Sequence, residues 1–135
     1  MRVLLGAALA LLLLAPQAVA TPREERDRYT TGGVFVVDLG CALDLTPGGA
    51  CFVVRPEDAS VAVVIEDATG LPIRATLSFV RADGVPTERV RFCGSTGALP
   101  IPPGTAEVLV DFADAPVPAC SPAVATAGAV TATFE

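Results

Sequence analysis

Hydrophobic and polar residues alternate along much of this chain, and this period of two constrains its fold more than any other feature. In residues 73–79 the odd-numbered positions are apolar and the even-numbered ones polar; residues 106–112 repeat the pattern with Leu109 as an exception. Successive side chains of a β-strand point to opposite faces, so both segments are typical of half-buried strands. The continuously apolar run at 61–65 predicts a central strand covered on both faces. The other candidate strands are residues 34–39, 51–55, 88–92 and 129–134.

Turn residues separate these segments. Thr-Gly-Leu-Pro at 69–72 lies between two candidate strands, Asp83-Gly84 follows the next one, and Pro-Pro-Gly at 102–104 precedes another. Glycine accepts the positive φ of tight turns, and no segment shows the helical period over three turns. Short strands at regular spacing predict an all-β fold, a single antiparallel β-sandwich of jelly-roll or immunoglobulin-like type with about seven to eight strands.

The first residues of the chain predict export from the cytoplasm. Arg2 precedes an apolar run at 3–15 that is too short for a comfortable bilayer crossing, and Ala-Val-Ala at 18–20 is typical of a cleavage site. We therefore expect residues 1–20 to be a removed signal peptide. Residues 21–31 are polar, charged and without apolar periodicity, which predicts a flexible arm, and the β-sandwich domain would then span 32–135.

Composition limits the partners and the chemistry that can be expected of this chain. The formal net charge is −6, which does not favour nucleic acid or anionic membranes as partners. The chain contains no histidine, the commonest acid–base residue and zinc ligand, and its positive charge comes from arginine, which stays protonated. We therefore expect a protein that is not an enzyme.

The four cysteines are Cys41, Cys51, Cys93 and Cys120. An even number in a chain expected to be exported predicts two disulfides, each stabilising the fold by about 2–4 kcal/mol. Three pairings are open, and we favour Cys41–Cys51 with Cys93–Cys120 because Pro-Gly-Gly at 47–49 folds the first loop back on itself. The alternative is a zinc site of four thiolates, which normally uses closely spaced Cys-x-x-Cys pairs that are absent here.

Acidic residues at strand ends are candidates for a cation site. Glu66 and Asp67 end one candidate strand, and Asp111 and Asp114 flank the end of another. Loops of β-sandwich modules often bring such oxygens together for Ca²⁺, which takes about six to eight oxygen ligands. The alternative is that these carboxylates are solvated and keep the sheet edges unpaired. No other cofactor is expected.

Three arginines predict a positive surface. If residues 73–80 and 88–92 pair as a hairpin, one outward face of it carries Arg74, Arg89 and Arg91 together with Thr76 and Ser78. Guanidinium groups bind carboxylate or phosphate groups bidentately, so an anionic partner could dock there. The alternative is an ordinary polar face whose charge is balanced by Glu88 and Glu107 of neighbouring strands.

Ser95, within Cys-Gly-Ser-Thr at 93–96, is the remaining candidate for chemistry. A nucleophilic serine needs a base, and the chain has no histidine to supply one. We therefore interpret Gly94 as the residue that lets the chain turn sharply after a strand end held by Cys93.

Residues 51–54, 61–67, 92–95 and 103–110 together are similar to small exported bacterial β-sandwich proteins of uncharacterised function. Those proteins resemble the jelly rolls of pre-peptidase C-terminal and galactose-binding-like domains. The resemblance implies a non-catalytic accessory or binding module. In size, acidity and cysteine number the chain also resembles the secreted carrier proteins of enediyne antibiotics.

These observations predict a secreted, non-enzymatic β-sandwich that acts as an extracellular interaction or accessory module. The expected partner is an extracellular protein or a cell-surface component, without nucleic acid and without membrane insertion, and the protein is expected to be a monomer. The alternatives are a secreted small-molecule carrier and a Ca²⁺-dependent carbohydrate-binding module.

Overall fold

Nine β-strands make up the regular structure of the described residues, which in this computed structural model are 22–30, 34–35, 49–112, 120 and 125–135. The strands are β1 (Arg23–Thr30), β2 (Val34–Phe35), β3 (Ala50–Val53), β4 (Ser60–Asp67), β5 (Arg74–Arg81), β6 (Pro86–Cys93), β7 (Ser95–Pro100), β8 (Thr105–Phe112) and β9 (Gly128–Phe134). Within these ranges there is no helix with the length and apolar character needed to cross a membrane.

The strands form two antiparallel sheets that pack as a β-sandwich. The first sheet has the order β1-β9-β4-β7, with the two-residue β2 added at the edge of β1, and the second has the order β6-β5-β8-β3. The sheets meet where β6 passes into β7, and there Cys93 pairs with Ser95 alone. The predicted all-β antiparallel sandwich is therefore confirmed.

The core lies between the sheets and uses the alternating apolar positions of the sequence. Its largest fully buried side chains are Tyr29, Ile73, Leu77, Phe79, Phe134 and the valines at 61, 63, 108, 110 and 130. Each contributes about 1.5–3 kcal/mol through removal from water. The prediction that residues 61–65 are covered on both faces is wrong, because Val64 is 41% exposed on the outer face of the first sheet.

Residues 23–30 form β1, so the predicted flexible arm is wrong for this segment. β1 pairs with β9 along its length, and Asp27 and Tyr29 on its inner face are buried. The outward positions Glu24, Arg26 and Arg28 are exposed, which gave the segment its polar composition. A strand that buries few side chains can still form when a neighbouring strand binds its backbone.

No alternation in the sequence predicts β7, whose residues are Ser-Thr-Gly-Ala-Leu-Pro. This strand lies at the edge of the first sheet, and its register with β4 shifts between Ala62 and Val64. An irregular edge strand buries little apolar surface, so its sequence carries little of the period-two signal.

Cys93 and Cys120 form a disulfide with 5.6 Å between their Cα atoms, which confirms that predicted pairing. The disulfide is typical of an oxidising compartment. Cys41 lies outside the described residues, so its pairing with Cys51 stays a prediction. The expected signal peptide at 1–20 also lies outside them.

Candidate functional site

The β5–β6 hairpin carries the three arginines of the predicted positive surface. Its register places Arg91 opposite Thr76 and Arg89 opposite Ser78, so these four side chains project from one face. Arg74 lies on the same face because it is two residues from Thr76 on β5. The intervening residues of β5 are buried in the core, so this face points outward. We name the three arginines the arginine face.

The guanidinium groups of the arginine face form no ion pair with a carboxylate of the described residues. Arg89 and Arg91 are exposed, and Arg74 is half-buried. In the same hairpin Arg81 does form an ion pair, with Asp83. Among the described residues the charge of Arg81 is therefore paired with a carboxylate, whereas the arginine face has no such ion pair.

The acids expected to balance the arginine face are poorly placed for it. Glu88 lies opposite Phe79, a core residue, and therefore projects from the other face of the hairpin. Glu107 of β8 is on the correct face but is only 6% exposed. Asp111 of β8 lies opposite Thr76 and therefore on the same face as the arginines. Burial raises the pKa of this half-buried carboxyl, whereas the positive charge of Arg89 acts to lower that pKa.

β6 is an edge strand among the described residues. It pairs with β5 along its length, and with β7 it pairs at Cys93 alone. Gly94 makes the separation: its φ of +76° turns the chain, its N–H donates to the carbonyl oxygen of Ile73 at 2.9 Å, and its own oxygen accepts from Ile65 N at 2.8 Å. The first bond continues the β5–β6 ladder and the second joins Gly94 to β4, so Gly94 connects the two sheets at one corner, beyond which β7 leaves the edge of β6. The predicted role of Gly94 as a sharp turn is confirmed.

Arg26 and Arg28 form a second arginine pair on an outer face, but in a mixed environment. They lie on β1 with Glu24 on the same face, and Arg28 is opposite Ala129, which is itself opposite Glu66 of β4. The outer face of the first sheet therefore carries both positive and negative groups. The arginine face of the second sheet has three arginines against one half-buried and one buried acid.

The predicted cation ligand Asp67 is held by hydrogen bonds from the protein itself. The Tyr29 hydroxyl donates to Oδ1 at 2.8 Å, and the backbone N–H of Thr126 donates to the same oxygen at 2.9 Å. Oδ2 accepts from the hydroxyl and backbone N–H of Thr69 at 2.7 and 3.1 Å, and from the Thr126 hydroxyl at 2.9 Å. Five donors thus occupy a carboxylate that is 9% exposed.

This network shifts the pKa values of Asp67 and Tyr29 apart. Burial by itself would raise the pKa of Asp67, but the hydrogen bonds from Thr69, Thr126 and Tyr29 stabilise the charged form and hold the pKa well below its usual range. Burial, together with the bond to the Asp67 carboxylate and its charge, raises the pKa of Tyr29 above its ordinary value. The pair is therefore fixed as a charged acceptor and a neutral donor.

The structure does not bring the predicted cation ligands to one point. Asp67 faces the space between the sheets, Glu66 the outer surface of the first sheet, and Asp111 the outer surface of the second. In the parts of the chain that are described, no three Cys, Asp or Glu side chains are grouped so that they could hold a metal ion. Asp114 lies outside the described residues.

An open groove of about 480 Å³ lies at the end of β4 beside the Cys93–Cys120 disulfide. Its apolar wall includes Val64, Leu71 and Pro72, and Leu71 is 47% exposed. The polar side chains that line it are those of Glu66, Asp67 and Ser95. The groove has the size of a small-molecule site but is open to solvent.

Sequence reasoning missed Tyr29 as a core residue. The Tyr29 ring contacts Phe112 of the opposite sheet edge to face, with 4.9 Å between ring centroids. Gly128 leaves space for the Tyr29 hydroxyl on the neighbouring strand, because a Cβ at position 128 would lie 2.7 Å from that hydroxyl. The available signal was the period of two at Asp27 and Tyr29, which the surrounding charges concealed.

No family model, no curated protein and no solved structure matches this chain. The β-sandwich architecture that the resemblance implies is present as two four-stranded antiparallel sheets, and no family is identified.

Proposed function

We propose that this protein is a secreted, non-enzymatic interaction module that binds an acidic partner through the arginine face. The observation that carries the proposal is the placement of Arg74, Arg89 and Arg91 on one outer face without a carboxylate partner among the described residues. Arginine is suited to such a role because its planar guanidinium group binds carboxylates bidentately and keeps its charge at all physiological pH values.

The net charge of −6 does not conflict with an acidic partner. At physiological ionic strength exposed charges are screened over about 8 Å, so a short ligand responds mainly to the groups beside it. Those groups are the three guanidinium groups of the arginine face and the carboxyl of Asp111. Burial raises the pKa of Asp111, and the charge of Arg89 acts to lower it. An outward positive patch on an acidic protein also gives orientation, since an acidic ligand is repelled elsewhere on the surface.

The test is the binding of a short oligoglutamate peptide, measured by isothermal titration calorimetry at physiological ionic strength. Reversing two charges of the arginine face, Arg89→Glu with Arg91→Glu, should weaken binding about tenfold or more. The matched control is Arg26→Glu with Arg28→Glu, which changes the net charge equally on an exposed strand of the other sheet. Equal losses in the two variants would show a non-specific charge effect and would contradict the proposal.

A second candidate function is the binding of a small apolar molecule in the groove beside the disulfide. Its volume of about 480 Å³ and its wall of Val64, Leu71 and Pro72 favour this candidate. Enhanced fluorescence of an environment-sensitive naphthalene dye, abolished by Leu71→Glu and retained in Val85→Glu, would support it. Val85 is the matched control because it is equally exposed, at 47%, outside the groove. Equal enhancement in all three proteins would exclude a ligand site at the groove.

A further inference from the structure

The backbone of β6 presents hydrogen-bonding groups at the arginine face. The bond from Gly94 N to Ile73 O sets the phase of the β5–β6 ladder, in which hydrogen-bonded and non-hydrogen-bonded pairs alternate. Thr76 with Arg91 and Ser78 with Arg89 are therefore non-hydrogen-bonded pairs. The main-chain N–H and C=O groups of both arginines consequently point away from β5, toward an edge that no described strand occupies beside them.

The same two residues thus offer both backbone and side-chain recognition. A strand added at this edge would place the residues opposite Arg89 and Arg91 on the outer face, within cross-strand distance of the guanidinium groups. Acidic residues at alternate positions would meet both. The residue between them would project to the inner side of the sheet, beside Val90, which is half-buried and packs against the core.

A second copy of this chain is a poor occupant of the edge. Antiparallel pairing of two β6 strands would set Arg89 and Arg91 against the same arginines, and like charges directly opposite each other are destabilising. Pro86 at the start of the strand also limits pairing. The positive charges that repel a second β6 strand attract an acidic strand. The edge therefore favours an acidic partner over a second copy of this chain.

Building on the proposed function, we propose that the partner is an extended protein segment with alternating acidic and apolar residues, which adds to β6 as an antiparallel strand. Antiparallel addition continues the pairing of every strand in the sandwich. Backbone hydrogen bonds would supply much of the affinity, and the alternation of charge would set the register.

The probe is a blocked peptide of sequence Thr-Glu-Val-Glu-Val-Thr, with two isomers as matched ligands, one N-methylated at both glutamates and the other at both valines. In an antiparallel addition the amides of the glutamates opposite Arg89 and Arg91 face β6, and those of the valines face solvent. We expect N-methylation of the glutamates to weaken binding about tenfold or more, and N-methylation of the valines to leave it within about twofold. The amide hydrogens of Arg89 and Arg91 should also gain exchange protection on binding.

The outcomes separate this inference from the proposed function. If Arg89→Ala with Arg91→Ala abolishes binding but the two N-methylated isomers bind equally, the arginine face binds acids without strand addition and only the inference fails. Stronger loss with the valine isomer would overturn the antiparallel arrangement. If the alanine variant binds the unmodified peptide as the original protein does, the proposed function fails as well. The far-ultraviolet circular dichroism and thermal midpoint of the alanine variant serve as controls for folding.

Discussion

Arg23 and the arginine face lie on opposite sides of the sandwich, and their guanidinium groups have different surroundings. Arg23 lies where β1 approaches β3: its guanidinium group donates to both oxygens of Asp58 at 3.2 and 2.7 Å and to the carbonyl of Val53 at 3.0 Å, and it lies 4.4 Å from the centroid of the Phe134 ring. On the β6 side Arg89 and Arg91 form no such ion pair within the ranges that the structure describes. Arg23 therefore links β1 to β3 on one side of the molecule, whereas Arg89 and Arg91 on the other side are exposed.

The difference indicates that charge alone does not assign an arginine a role. Arg23 is 18% exposed, and both of its terminal nitrogens donate hydrogen bonds within the fold, so its loss should be felt in stability. Arg89 and Arg91 are exposed, so their loss should be felt in binding. We therefore expect substitutions on the β1 side to lower the free energy of unfolding more than substitutions of the exposed arginines on β6.

The largest effect is expected where β1 meets the core, at Asp67. Asp67→Ala removes the acceptor of five hydrogen bonds, among them the one that the buried Tyr29 hydroxyl donates, so the free energy of unfolding should fall by about 4 kcal/mol. Urea unfolding measures it. Tyr29→Phe removes one donor and should cost about 1 kcal/mol. A loss below that of Tyr29→Phe would mean that the network is not a stabilising element.

The disulfide on the β6 side should have the next largest effect. Replacing both Cys93 and Cys120 with serine releases a closure of 27 residues and should lower the free energy of unfolding by about 3 kcal/mol. This value would show that the β6 side is held covalently. Unfolding with and without a reductant provides the control in the unsubstituted protein, and an unchanged stability in both experiments would contradict the expectation.

Stability should also depend on pH through the same buried pair. The pKa of Asp67 is lowered in the folded state, so its contribution is complete above the ordinary aspartate pKa of about 3.9 and is lost as the pH falls from there toward the lowered value. The pKa of Tyr29 is raised, so its contribution is complete below the ordinary tyrosine pKa of about 10 and is lost above it. Thermal midpoints across pH should therefore decline at both ends, and Asp67→Asn should flatten the acid decline. An unaltered acid decline in that variant would assign it to other carboxylates.

A smaller loss is expected from Arg23→Ala. The variant loses the bidentate contact with Asp58 and the contact with the Phe134 ring, which together should stabilise the fold by about 1–2 kcal/mol. Arg23→Lys keeps the charge without the planar guanidinium group and should recover only part of the loss, as measured by urea unfolding. Full recovery with lysine would show that charge, and not geometry, closes this side.

The smallest effect on stability is expected at the arginine face. Arg89→Ala with Arg91→Ala should change the free energy of unfolding by no more than about 0.5 kcal/mol, because both side chains are exposed and form no ion pair among the described residues. Urea unfolding beside the Arg23→Ala variant gives the direct comparison. A loss as large as that of Arg23→Ala would place these arginines among the structural groups and weaken the case for a binding role.

The candidate site was more predictable than the residues that support the fold around β1. Arg74, Arg89 and Arg91 belong to two consecutive strands joined by a short turn, so alternation and a hairpin suffice to place them on one face. The same alternation places Glu88, which directly precedes Arg89, on the opposite face of the hairpin, and the register with Phe79 agrees with it.

The β1 side was not predictable because its contacts connect distant positions. Tyr29 and Asp67 are 38 residues apart, Asp67 and Thr126 are 59 apart, and Arg23 and Asp58 are 35 apart. Local periodicity contains no information on which strands become neighbours. The interpretation of Asp67 as a cation ligand and of residues 21–31 as an arm both arose from judging charged residues without their distant partners.

The sequence by itself determined that the chain forms short antiparallel strands, which of their faces are apolar, and that Arg74, Arg89 and Arg91 share an outer face. These properties depend on a period of two and on nearby turns, which act over a few residues. Only the tertiary structure decided that β1 joins the sheet beside β9, that Asp67 is buried with five donors, and that Arg23 binds Asp58 while β6 is an edge strand of the described part of the chain. Those outcomes depend on strand order, because a polar group is stabilised in the interior only by the partners that the sheet order brings to it.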